Sequence, residues 1–395
     1  MKVLIYSHAF APSIGGVETH VMLLAQGLAE QYRSHDRGEL QVTVVTPLPA
    51  SRTQDSALPF RVLRAPSKTA LARLIRDADL VHLAGPSFWP MMLGLVFRKP
   101  VTVEHHGYPP ICPNGLLVYE PDKTVCPGHF MQRRYLQCLR CNAEEGWGKS
   151  ALKLLATFPR RWMTKRVAAN LCVTSHVLHR LELPRTQVIY HGIRDVETNM
   201  RSAGPSASAF CFAYVGRLVA LKGLPILVDA ADKLKRDGYR FVLKFIGDGP
   251  ERASLEKLVR ERGLDTETTF TGNAIGPVLQ ELLEQVDAVV MPSVWEETAG
   301  LSAIEQMMRG KLVIASDIGG LGEVVGDAGL RFPAGSSQAL AACMRHALDH
   351  PDLAMQLGAT ARQRALSVFH FDQMVQQHVS RWTELERQGE TAGAR

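Results

Sequence analysis

Short apolar runs alternate with amphipathic helical stretches along the whole chain, and this alternation limits the fold more than any other feature. In the first half, strand-like runs read at 2–7, 41–46, 79–83, 100–105, 170–174 and 187–190. A second series reads at 210–215, 241–246, 267–271, 287–291 and 311–315. Between them lie helical patterns such as 16–33, where apolar residues at 17, 21, 24, 25 and 28 fall on one face. Strands that alternate with helices build a doubly wound α/β parallel sheet. At 395 residues the chain exceeds one ordinary core, so two such domains are expected.

Residues 193–209 lose all periodicity and read as a linker. The expected organisation is therefore a first domain at 1–192, a second at 210–370, and a C-terminal helix at 371–395. The last eight residues, 388–395, read as frayed.

Apolar runs such as Met91 to Phe97 are far short of the roughly 20 residues that span a bilayer. The N-terminus enters a strand directly, without the pattern of a signal peptide, so a cytoplasmic location is expected. Residues 1–192 carry 23 Lys and Arg against 13 Asp and Glu, and the rest of the chain 22 against 26. The basic first half suits an anionic partner, either membrane lipid or a phosphate-linked acceptor, with plain solubility as the alternative. No nucleic-acid partner is expected.

Chemistry gathers at the ends of the strands. Residues 292–305 (Pro-Ser-Val-Trp-Glu-Glu-Thr-Ala-Gly-Leu-Ser-Ala-Ile-Glu) follow a strand and run into a helix that starts at or beside Gly300 and Leu301. Glu297 and Glu305 stand eight positions apart across that turn. Unpaired N–H groups at a helix start attract anions, so this stretch can hold a polyhydroxylated, phosphate-bearing ligand from two sides. The strand from Phe210 is followed by Arg217 and Lys222, and a cation at a helix start makes sense where an anion docks. Gly247 and Gly272 close the next two strands, and Gly319 and Gly320 stand beyond a later one. In the first half, Gly15 and Gly16 open the first helix without forming a dinucleotide G-x-G-x-x-G fingerprint. His105 and His106 precede Gly107 at another strand end.

Together these residues resemble the Glu-x7-Glu motif and its companions in the family 4 glycosyltransferases. The resemblance covers nearly the whole chain and is strongest over 210–330. It implies a GT-B architecture, two Rossmann-like domains facing across a cleft. It also implies a retaining transfer of a sugar from a nucleotide-diphosphate donor to a saccharide or lipid-linked acceptor, in surface polysaccharide or glycolipid synthesis. In that reading Arg217 and Lys222 offset the charge of the departing diphosphate, Glu297 contacts the sugar, and Glu305 binds the ribose. Gly15, Gly16, Gly247, Gly272, Gly300, Leu301, Gly319 and Gly320 line the donor, and His106 reaches its sugar. No cofactor is implied for catalysis. The chain departs from the family pattern in Ala299 for Phe, in His191 for Asn, and in a cysteine-rich insertion at about 107–145.

Cys112, Cys126, Cys138 and Cys141 fall within that insertion, with His129 among them. Disulfides are not expected in a cytoplasmic chain. The closing Cys-x-x-Cys has metal-ligand spacing and fits a structural zinc site, with unligated or redox-active thiols as the alternatives. Residues 149–166 combine apolar positions with a dense cationic face interrupted by Pro159. Such a segment can rest on the inner face of an anionic membrane or pack on its own sheet. The rival functions are a nucleotide-sugar epimerase or hydrolase on the same fold, and a catalytically silent nucleotide-sugar-binding subunit.

Overall fold

The computed structural model describes residues 1–13, 15–31, 40–49, 55–196 and 209–393, the last five by backbone alone. Contacts divide the chain into two compact units. One comprises Met1–Asp122, Cys126–Arg194 and Phe369–Arg395, and the other Asp195–Val368 with Lys123–Val125. Most of the stretch that lacks periodicity, 197–208, lies outside the described residues.

In the first unit the strands are β1 (Lys2–Ser7), β2 (Gln41–Thr46), β3 (Arg61–Arg64), β4 (Leu80–Ala84), β5 (Val101–His105), β8 (Ala169–Cys172) and β9 (Thr186–Val188). Two strands of two residues each, β6 (Val118–Tyr119) and β7 (Thr124–Val125), belong to the insertion. The seven-stranded sheet runs β3-β2-β1-β4-β5-β8-β9, and its neighbouring strands pair in parallel. Its central strands are covered on both faces, so β4 and β5 are buried along their entire length. That burial matters because these two strands carry His82, Thr102, Glu104 and His105, which must find partners inside the protein.

The helix Gly16–Gln31 buries Val21, Leu24, Ala25 and Leu28, the face that the periodicity marks. Against it packs the C-terminal helix, Phe371–Gly393, with Met374, Val375, Trp382 and Leu385 in the same core. A Cβ on Gly27 would stand 2.5 Å from Val375 and 2.6 Å from Phe371, which shows how closely the two helices approach. Residues 388–393, read from sequence as frayed, continue this helix. Gln388 bonds back to Glu384 one turn earlier.

The second unit contains β10 (Phe210–Val215), β11 (Phe241–Ile246), β12 (Thr268–Gly272), β13 (Ala288–Met291), β14 (Leu312–Ser316) and β15 (Leu330–Phe332). Its six strands run β12-β11-β10-β13-β14-β15, again parallel. The strand order reverses between β10 and β13, so the loops leaving their carboxyl ends diverge to opposite faces and leave a crevice. No helix among the described residues is long and apolar enough to cross a membrane.

Candidate active site

In the second unit, the loops after β10 and β13 meet at the point of strand-order reversal. Lys222 ends a single 3-10 turn, Ala220–Lys222, and the helix proper starts after it at Leu224. The lysine therefore precedes the helix it was expected to open, and its charge is met within the chain: Nζ donates to Glu297 Oε1 at 2.9 Å. Ser293 Oγ donates to the same carboxylate oxygen through a short bond. Backbone contacts fix this register, since Val294 N donates to Leu221 O at 3.0 Å. Gly223 leaves no room for a side chain, because a Cβ there would stand 2.1 Å from Pro292 O. Glu297 is buried and Lys222 is partly exposed, so the ion pair sits at the rim of the protein interior.

The start of the helix Gly319–Val325, which follows β14, closes the other side. Gly320 N donates to Glu297 O at 2.6 Å. Gly319 has a positive φ, and its missing side chain makes way for the backbone of Glu296 and Glu297. Gly300 caps the helix Leu301–Met308 and packs on Leu321. Glu305 sits in the second turn of that helix. Burial raises its pKa above the ordinary carboxylate value, against the pull of Arg309.

Gly216, Gly247 and Gly272 lie side by side at the ends of β10, β11 and β12. A Cβ on Gly247 would come within 2.0 Å of Gly216 O, and Gly247 N donates to Gly272 O at 2.9 Å. Arg217, just beyond Gly216, is exposed, and its guanidinium has no hydrogen bond or ion pair with any described residue. Arg217, Lys222, Gly247, Glu297, Glu305, Gly319 and Gly320 thus all lie at or beyond the carboxyl ends of one parallel sheet. This combination can take an anion on two cations while a buried carboxylate faces an electron-poor centre beside it.

In the first unit, Gly15 and Gly16 stand at the start of the first helix, and Thr19 N bonds to Gly15 O at 3.0 Å. His105 ends β5, buried, with Nε2 2.9 Å from Asn170 Oδ1. His106 follows just beyond the strand, with Nδ1 3.1 Å from His191 Nε2. Glu104 is fully buried, and its Oε2 lies 2.8 Å from His20 Nε2, 3.2 Å from His82 Nε2, and 3.6 Å from both His106 and His378 Nε2. Burial works to raise the Glu104 pKa, yet the surrounding imidazoles hold it well below the usual carboxylate range. Burial drives His82 down to about 4 and His191 well below its ordinary value. At neutral pH His20 and His82, whose pKa values burial lowers, are neutral rings that donate N–H bonds to the ionised Glu104 carboxylate. Among the described residues, two groups of three metal-type side chains have their ligand atoms within 4.8 Å of one another, and both contain Glu104.

Residues 14–196 match the family model described as Glycosyltransferase Family 4, and residues 195–364 match that described as Glycosyl transferases group 1. The chain belongs to glycosyltransferase family 4. Among the relatives of this family 4 enzyme is the 2-deoxystreptamine glucosyltransferase of Streptomyces kanamyceticus, 29% identical over 369 residues and 89% of each chain. Another is the GDP-mannose:cellobiosyl-diphosphopolyprenol alpha-mannosyltransferase of Xanthomonas oryzae pv. oryzae, 26% identical over 80% of this chain and 79% of that one. Among solved structures, Anabaena HepE in complex with UDP is similar with a TM-score of 0.71 at 18% identity, covering 97% of this chain and 100% of the other. The sucrose-phosphate synthase of Thermosynechococcus elongatus also reaches 0.71, at 20% identity and 99% of each chain. The family 4 chain is thus a glycosyltransferase with the GT-B fold, the fold expected from its sequence.

Sequence reasoning missed two parts of the family 4 chain's polar architecture. Ser293 carries no motif signal, and only its bond to Glu297 reveals it. The Glu104 hub was visible only as polar residues inside a strand that is otherwise apolar, because its partners His20, His82, His106 and His378 come from four separate segments.

Proposed function

We propose that the chain transfers a sugar, with retention of anomeric configuration, from a nucleoside-diphosphate donor to a hydroxyl of a saccharide or lipid-linked acceptor. The observation that carries this reading is the Lys222–Glu297–Ser293 cluster at the strand-order reversal of the second unit, with exposed Arg217 following β10 of the same sheet. A lysine ammonium has three donors, and Glu297 takes one, so a diphosphate can take the others. Arg217 and Lys222 offset the charge on the leaving nucleotide, the part a metal ion plays elsewhere, so the transfer needs none. Glu297, kept in place by Ser293 and the start of the helix Gly319–Val325, faces the positive charge that develops at the anomeric carbon. Glu305 binds the ribose.

For the acceptor, the helix Trp147–Thr164 supports the lipid-linked class. Its inner face buries Leu154 and Thr157, while Trp147, Leu152, Leu155 and Trp162 stand 61%, 68%, 64% and 55% exposed along the outer face. Pro159, which interrupts the pattern in the sequence, is exposed within a continuous helix. Exposed Lys149, Lys165 and Arg166 flank the apolar residues, and Arg166 stacks on Trp162 at 3.8 Å. Aromatic and aliphatic side chains edged by cations suit the interface of an anionic membrane. The relatives named for 2-deoxystreptamine point to a second acceptor class, a soluble aminocyclitol.

The test is nucleotide release from a panel of nucleotide sugars, followed by the anomeric proton coupling of the product. Slow turnover of one donor, lost in Arg217→Ala and Glu305→Ala, with the donor's configuration kept in the product, is the expected result. Turnover that survives both substitutions would remove the donor-site assignment, and an inverted product would remove retention.

A further inference from the structure

Four of the seven cysteines, Cys112, Cys126, Cys138 and Cys141, lie between β5 and the helix Trp147–Thr164, and all four are buried. They come from separate places. Cys112 is in the loop after β5, Cys126 directly follows β7, and Cys138 and Cys141 stand one turn apart on the helix Tyr135–Cys141. All four nonetheless line one small cavity, together with His129 and Phe130. Regular structure in this segment is sparse: two strands of two residues, one helix of seven, and a single 3-10 turn at Ala143–Glu145. A segment of this kind gains order from a cross-link that its few backbone ladders do not provide.

Polar donors and one cation reach the edge of the cavity. Glu120 N and Asn114 Nδ2 donate to Cys141 Sγ at 3.4 and 3.5 Å. Arg180 Nη2 donates to Cys126 O at 3.1 Å and so brings a positive charge to the edge of the cluster. His129 Nδ1 lies 3.6 Å from Cys126 Sγ. Burial raises the pKa of Cys112, Cys138 and Cys141, with neighbouring thiols adding to it. A divalent cation shared by all of them makes joint ionisation favourable.

We propose that Cys112, Cys126, Cys138 and Cys141 bind a single zinc ion that clips this insertion together. Binding exchanges four S–H bonds for four Zn–S bonds and releases four protons to solvent, with no change of oxidation state. In the protonated form, Cys112 Sγ donates to Asn114 Oδ1 at 2.9 Å and Cys141 Sγ to Val118 O at 3.3 Å. No three of the sulfurs then lie within 4.8 Å of one another. Coordination gives up those two bonds and turns the side chains inward, to sulfur separations of about 3.8 Å around a tetrahedral ion with Zn–S of about 2.3 Å. The alternative for closely grouped thiols is a disulfide.

The experiment is metal analysis of the full chain purified from zinc-supplemented medium, alongside cobalt substitution and a count of reactive thiols. One zinc per chain is expected, with the intense charge-transfer and visible bands of tetrahedral thiolate–cobalt after exchange. Cys141→Ser should lower the zinc content at least tenfold, Cys141→His should keep it, and Cys343→Ser, outside the cluster, should leave it unchanged. Because Cys141→Ser can fail to fold, the wild-type cobalt spectrum stands as an independent criterion. Less than 0.1 zinc per chain with no thiolate–cobalt bands overturns the proposal, whether the four cysteines then react freely or prove to be disulfide-bonded.

Discussion

Gly319→Ala tests how tightly the start of the helix Gly319–Val325 holds the backbone of Glu297. Gly319 adopts a φ of +61°, and an L residue in that conformation costs about 1–2 kcal/mol. The new Cβ would also stand 2.6 Å from Glu297 O and 2.8 Å from Glu297 N, where ordinary contact begins at 3.4 Å. The shortfall is about 0.8 Å, and backbone must absorb it, at about 1–3 kcal/mol more. A displacement near 1 Å at a group that faces the reacting centre can cost about 100-fold in rate. Gly335→Ala is the matched control: its φ of +85° carries the same conformational cost, but nothing lies within 4 Å of the added methyl. Both variants are to be compared by thermal melting and by nucleotide release from the accepted donor. Gly335→Ala should melt about 2–8 °C lower with unchanged turnover. Gly319→Ala should melt lower still and turn over 10- to 100-fold more slowly. Equal turnover in the two variants would refute the reasoning, because the collision with Glu297 is what separates them.

Ser293→Ala removes one of the two side-chain donors on Glu297 Oε1, and turnover should fall about 10-fold with little change in melting temperature; unchanged turnover would take Ser293 out of the site. Acidification should destabilise the first unit between pH 6.5 and 4. His105 has its pKa lowered from 6.5 to about 4, chiefly by burial, so across that window the unfolded chain binds a proton that the folded chain does not, and stability falls as pH falls. The cost approaches about 3 kcal/mol from this ring alone; urea titrations across the window should show a shallower slope for His105→Gln, and an identical slope would contradict the assignment. Paired Leu155→Ser and Trp162→Ser should reduce co-sedimentation with anionic phosphatidylglycerol vesicles at least fivefold while leaving nucleotide release intact. Weak binding to those vesicles by the unsubstituted chain would set the membrane reading aside.

Most of the fold was legible because the central strands of both sheets are apolar on both faces and stand between amphipathic helices. β1 and β10 read from sequence with the bounds they have in the structure. The strands that escaped are at sheet edges. β3 (Arg61–Arg64) has an arginine at each end and no fully buried residue, and β15 has three residues of which one is buried. Neither presents the apolar run that the reading depends on. The residues at the ends of β10, β13 and β14 were found through their motif, but the physical argument for Lys222 was incomplete. Its position looked like an unsatisfied cation at a helix start, whereas its partner, Glu297, stands 75 residues later in the chain. Glu104 posed the same difficulty, since spacing along the sequence does not show that His378 in the C-terminal helix closes on it.

Calorimetric titration with UDP, GDP, ADP and TDP in turn tests most directly whether the second unit carries a nucleotide-sugar site. One nucleoside diphosphate should bind to the unsubstituted chain with a single site, and Lys222→Met and Glu305→Ala should each weaken it by at least tenfold. Binding of none of the four, or equal affinity in both variants, would contradict a donor site built on Lys222, Glu297 and Glu305.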